Sequence, residues 1–165
     1  MPTMKIQLRR FSVVSPRPFE EIVGTTLTAT IGRPDMDAFR GAVAAATTVA
    51  DLEDVVRGAI GSSGLMEFAR FDAGAILRKE QGEQGPKILR LLIGNPLIMK
   101  EMAKTVPDAA SYAPVTILVD ERGDGVHLSY DSMASLIAPY GSQSALVVAR
   151  ALDAKIERLL ETAAR

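Results

Sequence analysis

The sequence predicts an α+β fold, a mostly antiparallel sheet with helices gathered toward both ends of the chain. Three observations lead there. Apolar alternation marks strands near residues 4–14, 65–71, 87–93 and 115–130, and the last stretch folds back on itself around Gly123, Asp124 and Gly125. Helical patterns separate the first strand from the second, and the chain ends in a helix. The order is therefore strand, three helices, two strands, helix, hairpin and one or two helices, without the regular βαβα repeat of a doubly wound fold. With 165 residues and no internal repeat or dividing linker, residues 1–165 read as a single domain with a core of its own.

The elements follow from local chemistry. Met4 to Val14 reads as the first strand, with Met4, Ile6 and Leu8 on one face and Lys5, Gln7 and Arg9 on the other. The alternation loses phase at Arg10 and Phe11, where a bulge would fit. Pro16 and Pro18 end central pairing, and Pro18 opens a helix from Phe19 to Thr30 with Glu20 and Glu21 in its first turn. Asp35 caps an alanine-rich helix to Ala46, and Thr48 with Asp51 forms a capping box ahead of the stripe Leu52, Val55, Val56, Ala59 and Ile60. Leu65 to Phe71 alternates with an aromatic on each face, which places Glu67 and Arg70 on opposite faces. Either one, if turned inward, needs a partner.

Gln81 to Pro86 is a polar loop, and the apolar run of Lys87 to Ile93 suggests a central strand. Pro96 to Lys104 is a short helix. In the hairpin, Val126, Leu128 and Tyr130 share one face, His127 and Ser129 the other. Ser132 or Asp131 caps a helix that Pro139 stops. Gln143 to Ala163 is the final helix, with Leu152, Ile156, Leu159 and Ala163 as its buried stripe.

Composition narrows function more than it defines it. Lys and Arg total 19 against 20 acids, a formal net charge of -1. That balance and the scarcity of aromatic residues argue against a nucleic-acid partner. No apolar run approaches the ~20 residues that span a membrane, so no membrane partner is expected. MPTMKIQLRRFSVV lacks the continuous apolar stretch of a signal peptide, and with no cysteine in the chain a cytoplasmic location is expected. A thiolate nucleophile and a thiolate metal site are excluded, and a single histidine, His127, rules out a multi-histidine metal centre, so no metal is expected. The chain has no G-x-G-x-x-G after a strand, no G-K-[ST] and no G-x-S-x-G, so no cofactor is expected either.

The most informative segment is LIGNP, residues 92–96. Here a strand ends at Gly94 and Asn95 caps a helix opened by Pro96. Such a turn either presents backbone N–H groups to an anion or a polar ligand, or is a plain strand–helix junction. Asp72 has two readings as well, as a cap on the segment from Ala73 to Lys79 or as a side chain facing a pocket. Tyr130 closes the hairpin and leads into Asp131. The candidate ligand-binding residues are therefore Asp72, Gly94, Asn95 and Tyr130, and no catalytic residue is assigned. His127 has no orienting partner evident in the sequence.

LLIGNP, the short helix after it, the Pro-ended segment before Val115 and VHLSYDSMASL together resemble the domain-of-unknown-function 302 family. The matching residues are Gly94, Asn95 and Pro96, then Ser129, Tyr130 and Asp131. The likeness is good over residues 65–138 and weaker in the first strand and the Phe19 helix. It implies a curved antiparallel sheet backed by helices and a tendency to form homodimers, and it implies no established reaction. Relatives often carry an Asp-His pair where this chain has Asp72 and Ala73, so a histidine-dependent role does not carry over. Residues 35–60 look like a helical insertion and residues 141–165 like a helical extension of that core. These readings give a small-ligand or protein-binding module, acting on a small molecule or an anion. The alternative is an enzyme using an acid, Asp72 or Glu67, with Asn95 and Tyr130 near the GNP turn. A homodimer is expected, with the nearly uncharged stretch GAVAAATTVA, including Val43, or Val56 or the final helix at the contact.

Overall fold

The computed structural model describes residues 3–165. Its sheet has five strands, β1 (Arg10–Ser15), β2 (Met66–Asp72), β3 (Ile88–Gly94), β4 (Val115–Arg122) and β5 (Gly125–Asp131). They lie in the order β1-β5-β4-β3-β2, with every neighbouring pair antiparallel. The α+β class expected from the sequence is the class found. The β3 strand is interior, as its apolar run suggested, but β4 holds the middle of the sheet.

The first strand is shorter than the alternation predicted. Residues 3–9 are not in a strand, and pairing starts at Arg10, opposite Asp131. The cause is the partner rather than the segment itself. The β5 strand ends at Asp131, and one last bond from Ser132 N–H to the Arg9 carbonyl (2.9 Å) closes the ladder. Met4 and Leu8 are left exposed. The same register turns Phe11, Val13 and Ser15 inward opposite Tyr130, Leu128 and Val126.

Helices cover the inner face of this sheet. The first, α1, is α-helical over Phe19–Glu21, π-helical over Ile22–Leu27 and α-helical again over Thr28–Thr30. A π turn spans more residues than an α turn and stacks positions five apart, so Ile22 and Leu27 both reach full burial. The long C-terminal helix α8 (Gln143–Ala164) packs beside it, and Ser142 caps its N-terminus through Ala145 N–H. At the other end, Ser15 Oγ donates to the Ala164 carbonyl at 2.7 Å and Arg17 donates to that of Ala163. A cation among the last carbonyls also suits the helix dipole. Leu152, Ile156, Leu159 and Ala163 are buried, as the apolar stripe predicted. No helix of the described residues is long and apolar enough to cross a membrane.

The helices α2 (Met36–Ala45) and α3 (Val49–Ala59) form a hairpin with the expected caps. Asp35 accepts from Ala38 N–H, and Thr48 and Asp51 complete the reciprocal box. Phe39, Val56 and Ala59 close on Met66 in a small second core. Three shorter helices, α4 (Gly74–Gln81), α5 (Pro96–Ala103) and α6 (Ala109–Tyr112), follow strands β2 and β3. No apolar periodicity or cap marks α6 in the sequence. The last short helix, α7 (Met133–Ile137), runs on through a 3-10 turn over Ala138–Tyr140, so Pro139 sits at its end as expected.

Two glycines hold this layout together by having no side chain. Gly32, after α1, and Gly61, after α3, both donate backbone N–H bonds to the Leu65 carbonyl (2.9 and 3.0 Å). A Cβ on Gly32 would lie 2.0 Å from the Ala59 carbonyl oxygen, and one on Gly61 would lie 2.2 Å from that of Thr30. Backbone atoms cannot swing aside as side chains do. Gly32→Ala is therefore expected to destabilise the fold by about 2–3 kcal/mol, at the upper end of overpacking costs. Chemical denaturation measures this, and an unchanged midpoint would contradict the backbone crossing.

Candidate functional site

The GNP turn is built as the sequence predicts. Asn95 Oδ1 accepts from Leu97 N–H at 2.9 Å, and its Nδ2 donates to the Gly64 carbonyl at 3.0 Å. Pro96 has no N–H, and those of Ile98 and Met99 go to the Asn95 carbonyl. Each donor at this terminus is thus bound within the chain, and an incoming anion would have to displace the Asn95 side chain. Beside the turn lies a small dimple of ≈ 90 Å³, bordered mainly by Phe68, Pro96, Met99 and Pro114. Its character is apolar.

A bulge in β2 reorganises the residues expected on opposite faces. Met66 pairs with Gly94 and Glu67 with Ile93, but Ala69 is the next to pair, with Leu92. Phe68 is the extra residue, so Glu67, Arg70 and Asp72 all share the inner face with Ile93, Leu91 and Leu89. The expectation that Glu67 and Arg70 diverge is thereby corrected. They form a two-pronged ion pair (Nε–Oε1 2.9 Å, Nη2–Oε2 2.8 Å), and Arg33 approaches Glu67 to 3.7 Å. The inward acid has the partner it needed.

Asp72 combines its two expected roles. One oxygen accepts from Ala75 N–H in the first turn of α4 (3.0 Å), and the other receives Arg78 Nη2 at 2.5 Å. This pair borders a cavity of ≈ 590 Å³ between the start of α1, the β2–β3 end and α4. Phe19, Val23 and Leu89 form its apolar side, and Lys87 joins Glu20 at the rim. The Lys87 ammonium holds the Glu20 carboxyl below the usual carboxylate range.

Tyr130 belongs to a different place. Its side chain is 1% exposed, and its hydroxyl donates to Asp153 Oδ1 at 2.8 Å. Asp153 also accepts from Met133 N–H (2.8 Å), Ala134 N–H (3.2 Å) and Ser132 Oγ (2.5 Å). The carboxylate therefore caps α7 from another helix, in addition to the Ser132 cap. Asp131, the other capping candidate, instead pairs with Arg10. Burial and the adjacent carboxylate hold the Tyr130 phenol protonated far above its ordinary range. Asp153 was missed at the sequence level. Its signal is a lone acid within the apolar series Ala149, Asp153, Ile156 and Leu160.

The remaining candidates are local. His127 packs at the sheet surface with Nε2 2.7 Å from Asp124 Oδ1, an orienting partner that sequence reasoning did not find. This bond holds the Asp124 carboxyl below its ordinary range. Tyr112 and Tyr140 share a hydroxyl–hydroxyl bond of 2.7 Å, which pushes Tyr140 up to about 12. Asp72 and Asn95 stand at opposite ends of the β2–β3 pair, and Tyr130 is inside the core. The structure does not bring these candidates together.

What the fold and these sites define is a five-stranded α+β domain with an Asp72 cavity. Its best-bonded polar cluster serves the fold rather than an opening to solvent. The profile of "Domain of unknown function DUF302" matches residues 42–163, and the chain belongs to that family. The matched stretch runs through α3 and α8. The fold is similar to that of an uncharacterized conserved DUF302 protein from Bacillus stearothermophilus, with TM-score 0.62 and 9% identity over 94% of this chain and 98% of that one. No functionally curated protein matches.

Two outcomes are expected from this geometry. Asp153→Ala leaves the Tyr130 and Ser132 hydroxyls and the Ala134 N–H without their acceptor, while Met133 N–H keeps only the Tyr130 oxygen at 3.1 Å, and should destabilise the protein by about 3–5 kcal/mol; equilibrium denaturation reads this, and a loss under about 1 kcal/mol would contradict the cap. Asp124 should titrate below an unfolded-state aspartate in a carbon-detected NMR titration, and His127→Phe should raise its midpoint. A lowered carboxyl pKa adds stability above the unfolded value that is lost as pH falls through the folded one. An Asp124 midpoint insensitive to His127→Phe would remove the bond from the account.

Proposed function

We propose that this chain is a cytoplasmic, non-enzymatic binding module that takes a small amphipathic ligand in the Asp72 cavity. The observation that carries this is the pairing of Asp72 with Arg78 at the edge of a cavity with an apolar side. Its ≈ 590 Å³ falls within the range of about 300–1,000 Å³ usual for small-molecule sites. Asp72 fixes the guanidinium, whose remaining donors are available to a polar group on the ligand, while Phe19 and Val23 meet its apolar part. The reading as an enzyme has less support. Glu67 is held by Arg70, Tyr130 by Asp153 and Asn95 by Gly64 and Leu97, so no acid, base and orienting group converge.

We further propose that the working form is a homodimer joined through α2 and the start of α3. Val43 and Val49 are 36% and 61% exposed, and no charged residue lies between Gly41 and Ala50. Val56 is fully buried in the small core of this chain, so it is not an interface position.

Native mass spectrometry of protein purified without added ligand tests both readings. The expected result is a two-chain mass carrying a noncovalent adduct, with the adduct lost in Arg78→Met and the pairing lost in Val43→Arg. Adduct-free wild-type protein would count against the ligand. A single-chain mass at micromolar concentration, or a folded dimer of Val43→Arg, would count against the α2 contact.

A further inference from the structure

A second cavity, of ≈ 490 Å³, opens where the C-terminal part of α1 meets α8 and the loop after α3. Its chemistry differs from that around Asp72. There, Arg70, Arg78 and Lys87 are each matched by a carboxylate. Here, Lys155 and Arg158 line a cavity bordered by no acidic residue. The acid next to Arg158 in sequence, Glu157, is turned away to Arg9 at 2.6 Å. Lys155 spends one donor on the Ser63 carbonyl at 3.3 Å. Its other two donors remain, beside a guanidinium whose planar fork suits phosphate.

Three of the five hydroxyls lining the cavity are already oriented. Thr30 Oγ1 donates to the Thr26 carbonyl (2.7 Å), Ser63 Oγ to that of Thr30 (2.8 Å) and Thr162 Oγ1 to that of Arg158 (2.8 Å). Each hydroxyl has spent its only proton on the backbone and keeps acceptor lone pairs. The cavity thus offers cationic donors and neutral acceptors. Inorganic phosphate uses mainly the first set, having only its P–OH protons for the second. A ligand with a phosphate and free hydroxyls uses both.

Helical spacing keeps the two sets together. Lys155, Arg158 and Thr162 fall at i, i+3 and i+7 on α8, one face of the helix, and Thr26 and Thr30 are four apart on α1. That face of α8 is held in place from behind, since Ile156, Leu159 and Leu160 are buried against the main core.

We infer that this cavity binds a phosphorylated polyol, its phosphate on Lys155 and Arg158 and its hydroxyls donating to Thr30, Ser63 and Thr162. The inference is independent of the ligand at Asp72.

Isothermal titration calorimetry at low ionic strength tests it, with glycerol 3-phosphate, inorganic phosphate and glycerol as probes. Glycerol 3-phosphate should bind saturably at one site per chain, about tenfold tighter than phosphate, and glycerol should give no heat of binding. Lys155→Met/Arg158→Met should abolish binding with an unchanged circular dichroism spectrum. If that variant misfolds, Arg158→Met alone should still weaken binding. Arg78→Met should leave it intact, which separates this site from the Asp72 cavity. Equal affinity for phosphate and glycerol 3-phosphate would overturn the polyol part. Absence of saturable binding, or binding unaffected by loss of either cation, would overturn the site.

Discussion

The Asp153 carboxylate is the constraint on which the inner layer depends. It collects four donors from three consecutive elements, the end of β5, the Ser132 cap and the first turn of α7. Burial of a charge is tolerated only where it is solvated by the protein, and here hydroxyls and a helix N-terminus supply that solvation. The arrangement has a mechanical result. It fixes the rotation of α8 about its axis, because Asp153 must face the end of β5. With that rotation set, Leu152 and Ile156 meet the core, and Lys155 and Arg158 turn outward toward α1. Arg9, which reaches Glu157 and approaches Asp153 to 4.0 Å, extends the same cluster to the start of β1.

A second constraint acts on the opposite edge of the sheet. One extra residue at Phe68 reverses the facing of everything after it in β2. Without the bulge Arg70 would point away from Glu67, leaving the buried acid only its longer contact to Arg33 at 3.7 Å. With it, the two neutralise each other and Arg70 Nη2 reaches Thr28 on α1 at 3.2 Å. Asp72 then emerges on the helix-covered side, where it joins Arg78. The cavity at this end is thus a product of backbone irregularity, and its cations are each paired with a carboxylate.

The legible parts of this protein were those set by nearest neighbours in sequence. The Thr48–Asp51 box, the Asn95 cap, the Asp35 cap and the apolar face of β5 each follow from a few residues. The illegible parts depend on what lies across space. Residues 3–9 alternate well enough for a strand, yet β5 turns into α7 before reaching them. Glu67, Phe68 and Ala69 show no glycine or other local mark of a bulge. Asp153 was legible only as an anomaly, an acid among alanine and isoleucine, and its partners lie some 20 residues away. The Asp124–His127 bond was closer at hand, since two residues flanking a tight hairpin turn are neighbours in space.

The same division separates fold from function in the choice of site. Side chains that looked chemical in the sequence, Asn95 and Tyr130, have their hydrogen-bonding capacity taken up by the fold. Lys155, Arg158 and Thr162 drew no notice because, along a single helix, they read as a solvated face. They gain meaning only when α1 and the Ser62–Ser63 loop close over them, adding hydroxyls and no carboxylate. A cation with a carboxylate beside it has its main interaction satisfied by the protein, and a ligand must compete for it. Lys155 and Arg158 carry no such competitor at the cavity, while the face of α8 that bears them is set by the buried Ile156, Leu159 and Leu160. In this domain, polar groups that complete the fold and polar groups left over by it are therefore different sets. At the α1–α8 cavity binding is built from the second set, whereas at Asp72 it draws on the donors that the ion pair leaves on Arg78.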